Sequence, residues 1–275
     1  MRILLSLAFI IIAVAVIISL FLFTVADRTI ILNSPQKFEY GDLTRTYRLH
    51  VPTNKVNKIV VSLHGFNSSG RTIAYYTGIH NVVDDNTMVV YPDATKPVKE
   101  GIKTGWNSGF CCGSGYVQEI DDTGFIMALV ADLQAEYNSE AKVYATGFSN
   151  GAFMAQRLAV DHPDKIAAVA AISGSIGTRA SQLEPKLPTP ILLTHGDEDK
   201  IVPFSGGLGS NDPNFVWLSF ADTVSAWQNI NGSHTTTEVV VHKGNGHKWD
   251  GWRILDVWKT QPEESVRIVN FFNSL

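Results

Sequence analysis

Apolar and polar positions divide the chain into one long uncharged run and a series of short ones. From Ile3 to Val25 no charged residue occurs, and Ser6, Ser19 and Thr24 are the polar exceptions. Arg2 precedes the run, and Asp27 and Arg28 follow it. About 20 such residues span the hydrocarbon core of a bilayer as a helix, whereas the apolar stretch of a secretory signal usually has about 7–15. The length predicts a membrane-spanning signal anchor over residues 1–26. Thr24-Val25-Ala26 leaves a cleaved signal peptide as the alternative. On either reading, Arg2 on the short side puts the chain after Asp27 outside the cytoplasm.

Beyond Asp27 the apolar runs become short and β-branched, and they alternate with stretches of helical period. Thr44–Val51 alternates like a half-exposed strand, and Lys58–Leu63 and Thr87–Tyr91 are continuous apolar runs of the buried kind. Lys142–Thr146, Ile166–Ile172, Pro190–Thr194 and Glu238–His242 continue the series. Between them, Thr123–Tyr137, Ala152–Val160, Phe215–Ile230 and Glu263–Phe272 space their apolar residues as helices do. Asp121 or Asp122 is available as N-cap for the first of these, and Pro262 suits the first turn of the last. Strands alternating with helices predict βαβ units in one domain over 27–275, a mostly parallel central sheet with helices on both faces. Pro92–Ile120 and Ser205–Asn214 read as long, glycine-rich loops, the segments that tend to carry substrate contacts.

Composition narrows the possibilities by exclusion. The 275 residues carry a formal net charge of −4 and no basic run, so nucleic acid is not an expected partner. Cys111 and Cys112 are the only cysteines and are adjacent, which gives no metal-ligand spacing and no long-loop disulfide framework. Whether they bridge each other or remain buried thiols is open.

The chemistry centres on Gly147-Phe148-Ser149-Asn150-Gly151, which follows the strand Lys142–Thr146 and opens a helical pattern. That is the setting of a nucleophile elbow, a sharp strand-to-helix turn that pushes a serine hydroxyl outward. The turn also aims the N–H of Asn150 at developing negative charge. A serine hydroxyl needs a base, and downstream candidates exist. His195-Gly196-Asp197-Glu198-Asp199 follows a strand, and Asp199, deepest in the loop, is taken as the orienting acid, with Asp197 as a turn former. His247, in Gly244-Asn245-Gly246-His247 after the last strand, is the base. His50, His80, His162, His234 and His242 read as structural or surface residues. His64-Gly65-Phe66 ends an early strand, and the N–H of Phe66 is expected to join that of Asn150 in an oxyanion hole.

Several further pieces carry a resemblance. They are Thr44–Leu49, Leu63-His64-Gly65, Gly105-Trp106-Asn107 with Cys111-Cys112-Gly113, Asp121–Phe125, Tyr144–Gly151, His195-Gly196 with Asp199 and Val202-Pro203, and Gly246-His247 with Trp249. In this order the chain resembles the polyhydroxybutyrate depolymerase and feruloyl esterase type of the α/β-hydrolase superfamily over nearly all of Phe38–Trp252. The resemblance implies the α/β-hydrolase fold, Ser149, Asp199 and His247 as catalytic triad, and no metal or organic cofactor. It also places the Cys111–Cys112 loop beside the site. Trp106, Trp249 and Trp252 are then candidates for an aromatic platform, with a place in the core as the alternative for Trp106 and Trp252, and Trp106, Cys111, Cys112 and Trp249 are expected substrate contacts. Val160 stands where relatives often carry another cysteine, which puts the disulfide pattern of the family in doubt here.

The expected activity is hydrolysis of carboxylic esters, of a polyhydroxyalkanoate or of an acylated polysaccharide, through an acyl-enzyme on Ser149. A peptidase with the same triad, or a surface-anchored binding protein whose site has decayed, are the alternatives.

Overall fold

The computed structural model describes residues 34–97, 99–177, 187–209, 212–233, 235–250 and 262–275. The expected anchor or signal over residues 1–26 lies outside the described residues, as do His234 and Trp252. Among the described residues no helix is long and apolar enough to cross a membrane.

Eight strands form the central sheet: β1 (Gln36–Tyr40), β2 (Leu43–His50), β3 (Lys58–Leu63), β4 (Thr87–Pro92), β5 (Lys142–Phe148), β6 (Ile166–Ile172), β7 (Ile191–Gly196) and β10 (Thr237–His242). Their order is β1-β2-β4-β3-β5-β6-β7-β10. β1 and β2 join antiparallel, and every pairing from β4 to β10 is parallel. The helices are α1 (Gly70–Thr77), α2 (Gly113–Val117), α3 (Asp122–Glu136), α4 (Asn150–Asp161), α5 (Phe220–Asn231) and α6 (Glu263–Asn273), with a 3-10 turn at Ile79–Asn81.

The sheet is a mostly parallel layer covered on both faces, as its continuous apolar strands require. Successive strand residues point to opposite sides. Val61 and Leu63 of β3 therefore pack with Phe125 and Leu129 of α3, Met154 and Leu158 of α4 and Trp227 of α5. Val60 joins Ile73 of α1 and Ile268, Phe271 and Phe272 of α6 on the other face. This is the α/β-hydrolase architecture that the alternating pattern and the resemblance imply.

Two expectations need correction. Phe215–Ile230 is not one helix: Asp212–Trp217 is strand β9, paired with β8 (Gly207–Gly209) in a two-stranded ribbon. The helix starts only at Phe220, because Ser219 caps it reciprocally with Asp222, a capping box legible in Ser219-Phe220-Ala221-Asp222. The loop Pro92–Ile120 is not wholly irregular either, since it contains the short helix α2. On the next helix, Asp121 is the N-cap, accepting from Gly124 N–H at 2.9 Å.

Candidate active site

In parallel pairing, neighbouring strands deliver their carboxyl ends to one edge of the sheet, where ligands of open α/β sheets bind. Leu63 at the end of β3 is in register with Gly147 of β5, and His195 and Gly196 of β7 with Val241 and His242 of β10. The four turns that leave these strands hold Phe66, Ser149, Asp199 and His247.

The elbow at Ser149 is a close fit of backbone on backbone. Ser149 adopts φ 56° and ψ −121°, a left-handed conformation that costs a non-glycine residue on the order of 1–3 kcal/mol. A Cβ on Gly147 would lie 2.3 Å from the carbonyl of Gly151, and one on Gly151 would lie 2.2 Å from Leu63 O. Both glycines are therefore steric requirements: at Gly147 the end of β5 folds directly onto the start of α4, at Gly151 α4 starts directly against β3, and side chains there would force these backbones apart. Asn150 is the first residue of α4, so its backbone N–H has no preceding helical carbonyl to bond. Its side chain instead braces the neighbouring loop, with Oδ1 accepting from Trp106 N–H at 2.7 Å and Nδ2 donating to Trp106 O at 3.2 Å.

Phe66 follows Gly65, whose own Cβ position is 3.5 Å from the Cβ of Ser149. Phe66 is 46 % exposed, and the turn behind it is pinned by Asn67 N–H on Thr104 O at 2.7 Å. His64 is fully buried and acts as a strut. Its Nε2 accepts from Ala94 N–H at 3.0 Å, Nδ1 lies 2.8 Å from Gly65 O, and the ring packs on Trp106. Burial pulls this imidazole down to about 4, so it is uncharged at neutral pH.

Asp199 and His247 meet as expected. His247 Nδ1 lies 2.7 Å from Asp199 Oδ2, while Asp199 Oδ1 accepts from Ile201 and Val202 N–H at 2.9 and 3.0 Å. Burial would push this carboxyl up. The hydrogen bonds from His195 and His247, the charge of His247 and the Ile201 N–H reverse that and hold it well below the usual carboxylate range. The His247 ring lies against Phe148, the residue before Ser149, at a centroid distance of 4.7 Å. Tyr76 also packs on Phe148 and accepts Trp249 N–H, so one side chain props both the elbow and the histidine loop.

The acid and histidine loops are also joined by backbone. Glu198 N–H bonds Asn245 O at 2.9 Å, and Asp197 Oδ1 accepts Gly244 N–H at 2.7 Å. Asp197 thus does more than form its own turn. Below them Glu264, fully buried on α6, holds Thr194 and His242, the last residue of β10. The bond to Glu264 raises the pKa of His242 despite its burial.

The expected substrate contacts fare differently. Trp106 is 0 % exposed, its indole N–H spent on His64 O, so it supports the turn that leads to Phe66 from within the core instead of forming a platform. Trp249 is likewise 0 % exposed, donating to Ser265 Oγ, because the chain dives into the core two residues after His247. Cys111 and Cys112 are bridged to each other, which resolves what their adjacency left open. Cys111 is buried against Phe153 and Val202, while the half-buried Cys112, Phe110 and Trp217 pack around them. Sequence reading quotes the segments of His195, Arg45 and Asp122 for the resemblance but assigns no site role to His195 or to the buried Arg45–Asp122 pair at 2.7 Å, whose Asp122 also accepts Asn107 N–H. The motifs mark the segments, and only burial reveals what these side chains touch.

Comparison with known proteins gives the family. The family model described as phospholipase/carboxylesterase matches residues 46–215. NocK of Nocardia uniformis subsp. tsuyamanensis, which is named an esterase, is 28 % identical over 76 % of this chain and 62 % of its own. The bifunctional acetylxylan esterase/xylanase XynS20E of Neocallimastix patriciarum is 26 % identical over 78 % of this chain but 32 % of its own. The chain thus spans less than two thirds of these relatives. Among solved structures, esterase PE8 superposes with a TM-score of 0.60 at 20 % identity, covering 84 % of this chain and 99 % of that one. That likeness speaks for the fold.

Proposed function

We propose that this chain, which belongs to the phospholipase/carboxylesterase family of α/β-hydrolases, works as a carboxylic ester hydrolase, a serine esterase with Ser149 as nucleophile, His247 as base and Asp199 as orienting acid. The observation that carries this reading is the 2.7 Å contact of His247 Nδ1 with Asp199, made beside the elbow that presents Ser149. With Nδ1 engaged as donor, the other ring nitrogen is left as the acceptor that a serine proton requires.

In the first step His247 Nε2 takes the hydroxyl proton as Ser149 Oγ attacks the ester carbonyl. The oxyanion is received by the N–H groups of Phe66 and Asn150, each such donor being worth about 2.7–4 kcal/mol in the transition state. Collapse expels the alcohol, which takes its proton from His247 and leaves an acyl-Ser149. Water, activated by the same histidine, then releases the acid, while Asp199 stabilises the imidazolium formed at each step.

The substrates we assign are esters of the polyhydroxyalkanoate or acylated-polysaccharide type. Support comes from relatives named acetylxylan esterase, feruloyl esterase and poly(3-hydroxyoctanoate) depolymerase. A hydrolysis panel of polyester, feruloylated or acetylated polysaccharide and short acyl esters, run with wild type and Ser149→Ala, tests both parts. Wild-type turnover by folded Ser149→Ala rejects the nucleophile, and activity on short esters alone rejects the substrate class.

We also place the enzyme outside the cytoplasm, anchored or exported by Ile3–Val25; the Cys111–Cys112 bridge suits an oxidising compartment. Activity that sediments with membranes through a high-salt wash fits an anchor, soluble protein beginning at Asp27 fits a cleaved signal, and a cytoplasmic pool of full-length protein contradicts both.

A further inference from the structure

Asp199 is gripped from the sheet as well as from the histidine loop. His195, next to the last residue of β7 and 1 % exposed, directs Nε2 to Val202 O at 2.9 Å and to Asp199 Oδ2 at 3.3 Å. Both neighbours of that nitrogen accept, so the ring proton sits on Nε2. Nδ1 has no hydrogen-bond partner among the described residues, and the ring is wedged against Phe204 and Phe220. Val202 N–H in turn donates to Asp199 Oδ1. One buried N–H therefore closes the turn 199–202 on itself and touches the same carboxylate oxygen that His247 uses.

We propose that His195 is a positioning residue for the acid–base pair, its Nε2–H fixing the Asp199 carboxylate from the rigid end of β7 so that Oδ2 faces His247. The proposal rests on the reading of Ser149, His247 and Asp199 as the catalytic set. The division of labour is physical. Ile201 and Val202 N–H groups hold Oδ1, and without His195 only His247, the partner in the reaction, holds Oδ2 among the described residues. A donor shared with an anion also spreads its charge, and a bond to an ionised group is stronger than one between neutral groups. The other ionisable groups nearby are committed elsewhere: Asp197 to Gly244 N–H, Asp250 to Asn245 and His242, and Glu264 to Thr194 and His242.

The test uses the full chain carrying His195→Leu, which fills the space without a donor, and His195→Gln, which can bring an N–H to the same place. Turnover of a soluble p-nitrophenyl ester, its pH profile and the low-field proton resonance of the Asp199–His247 bond are the readouts. We expect His195→Leu to lower kcat about tenfold with KM little changed. Its acid limb moves to higher pH, because a less neutralised Asp199 retains the His247 proton more tightly, and the low-field resonance shifts. His195→Gln recovers most of the rate and the wild-type limb. Should His195→Leu fail to fold, His195→Asn, polar but one methylene too short, replaces it in the comparison. A donorless variant with wild-type kcat and pH limb, or a folded glutamine variant as impaired as it, overturns the proposal. Wild-type turnover in Ser149→Ala would instead overturn the triad, so the two failures are distinguishable.

Discussion

Replacing Asp199 by asparagine exchanges one carboxylate oxygen for an NH2 group, and the four donors around that carboxylate set the cost. Ile201 and Val202 N–H lie 2.9 and 3.0 Å from Oδ1, His247 Nδ1 lies 2.7 Å and His195 Nε2 3.3 Å from Oδ2. Asparagine keeps the two backbone bonds only by turning its NH2 toward both histidines. The His247 ring must then accept at Nδ1 and carry its proton on Nε2, the tautomer that cannot take a proton from Ser149. The opposite rotamer sets the NH2 against two N–H groups, which costs on the order of 1–3 kcal/mol for each unmet donor. Loss of the correct tautomer in a serine triad lowers kcat by about 10⁴, or ~5 kcal/mol of barrier. Asp197→Asn keeps an oxygen for Gly244 N–H at an exposed site, so its effect should stay within about threefold. The assay is kcat/KM on a p-nitrophenyl ester, with thermal melts to show that both variants fold. An Asp199→Asn enzyme within tenfold of wild type, or a larger loss in Asp197→Asn, refutes the argument.

The surrounding contacts carry three further expected outcomes. Gly151→Ala puts a methyl 2.2 Å from Leu63 O; it should cost about 3 kcal/mol and lower Tm by roughly 6–12 °C, and a melt within a degree of wild type contradicts this. His64 is held at about 4 in the fold against an ordinary value of 6.5, so the unfolded chain takes up that proton first and stability falls as pH drops through this window. His242, raised by Glu264, works in the opposite direction, so urea titrations of His64→Asn beside wild type isolate the effect; an unchanged pH slope in the variant refutes it. Reduction of Cys111–Cys112 opens no long loop, but Cys111 O faces Asn150 Nδ2 and the cysteines pack with Phe110, Phe153 and Trp217. Activity on bulky esters should therefore fall more than Tm does, and the reverse pattern would make the bridge a matter of core stability.

The fold is legible in the sequence where local pattern and tertiary role coincide. Lys58–Leu63 and Ile166–Ile172 are strands to the residue because buried parallel strands must be apolar throughout. The elbow and the Asp199–His247 contact are legible because glycine spacing and chain order reflect the chemistry. Burial is not. Trp106 and Trp249 look like platform residues, yet their indole N–H groups are consumed inside the core by His64 O and Ser265 Oγ, partners far apart in sequence. His195 is hidden for the same reason: its contact with Asp199 depends on how β7 ends. The end of β9 reads as helix because Phe215-Val216-Trp217 runs straight into the period of α5, while the rest of the β8–β9 ribbon reads as loop, and only the capping box at Ser219 marks the boundary.

The central claim is that Ser149 is the activated nucleophile of an ester hydrolase, and one measurement addresses it directly. Wild-type protein is treated with a fluorophosphonate, digested, and mapped by mass spectrometry beside Ser149→Ala and Asp199→Asn. The account predicts a single stoichiometric adduct on Ser149, none in Ser149→Ala, and much slower labelling in Asp199→Asn. An adduct on another residue, or an unlabelled Ser149 in protein that still hydrolyses esters, would contradict it.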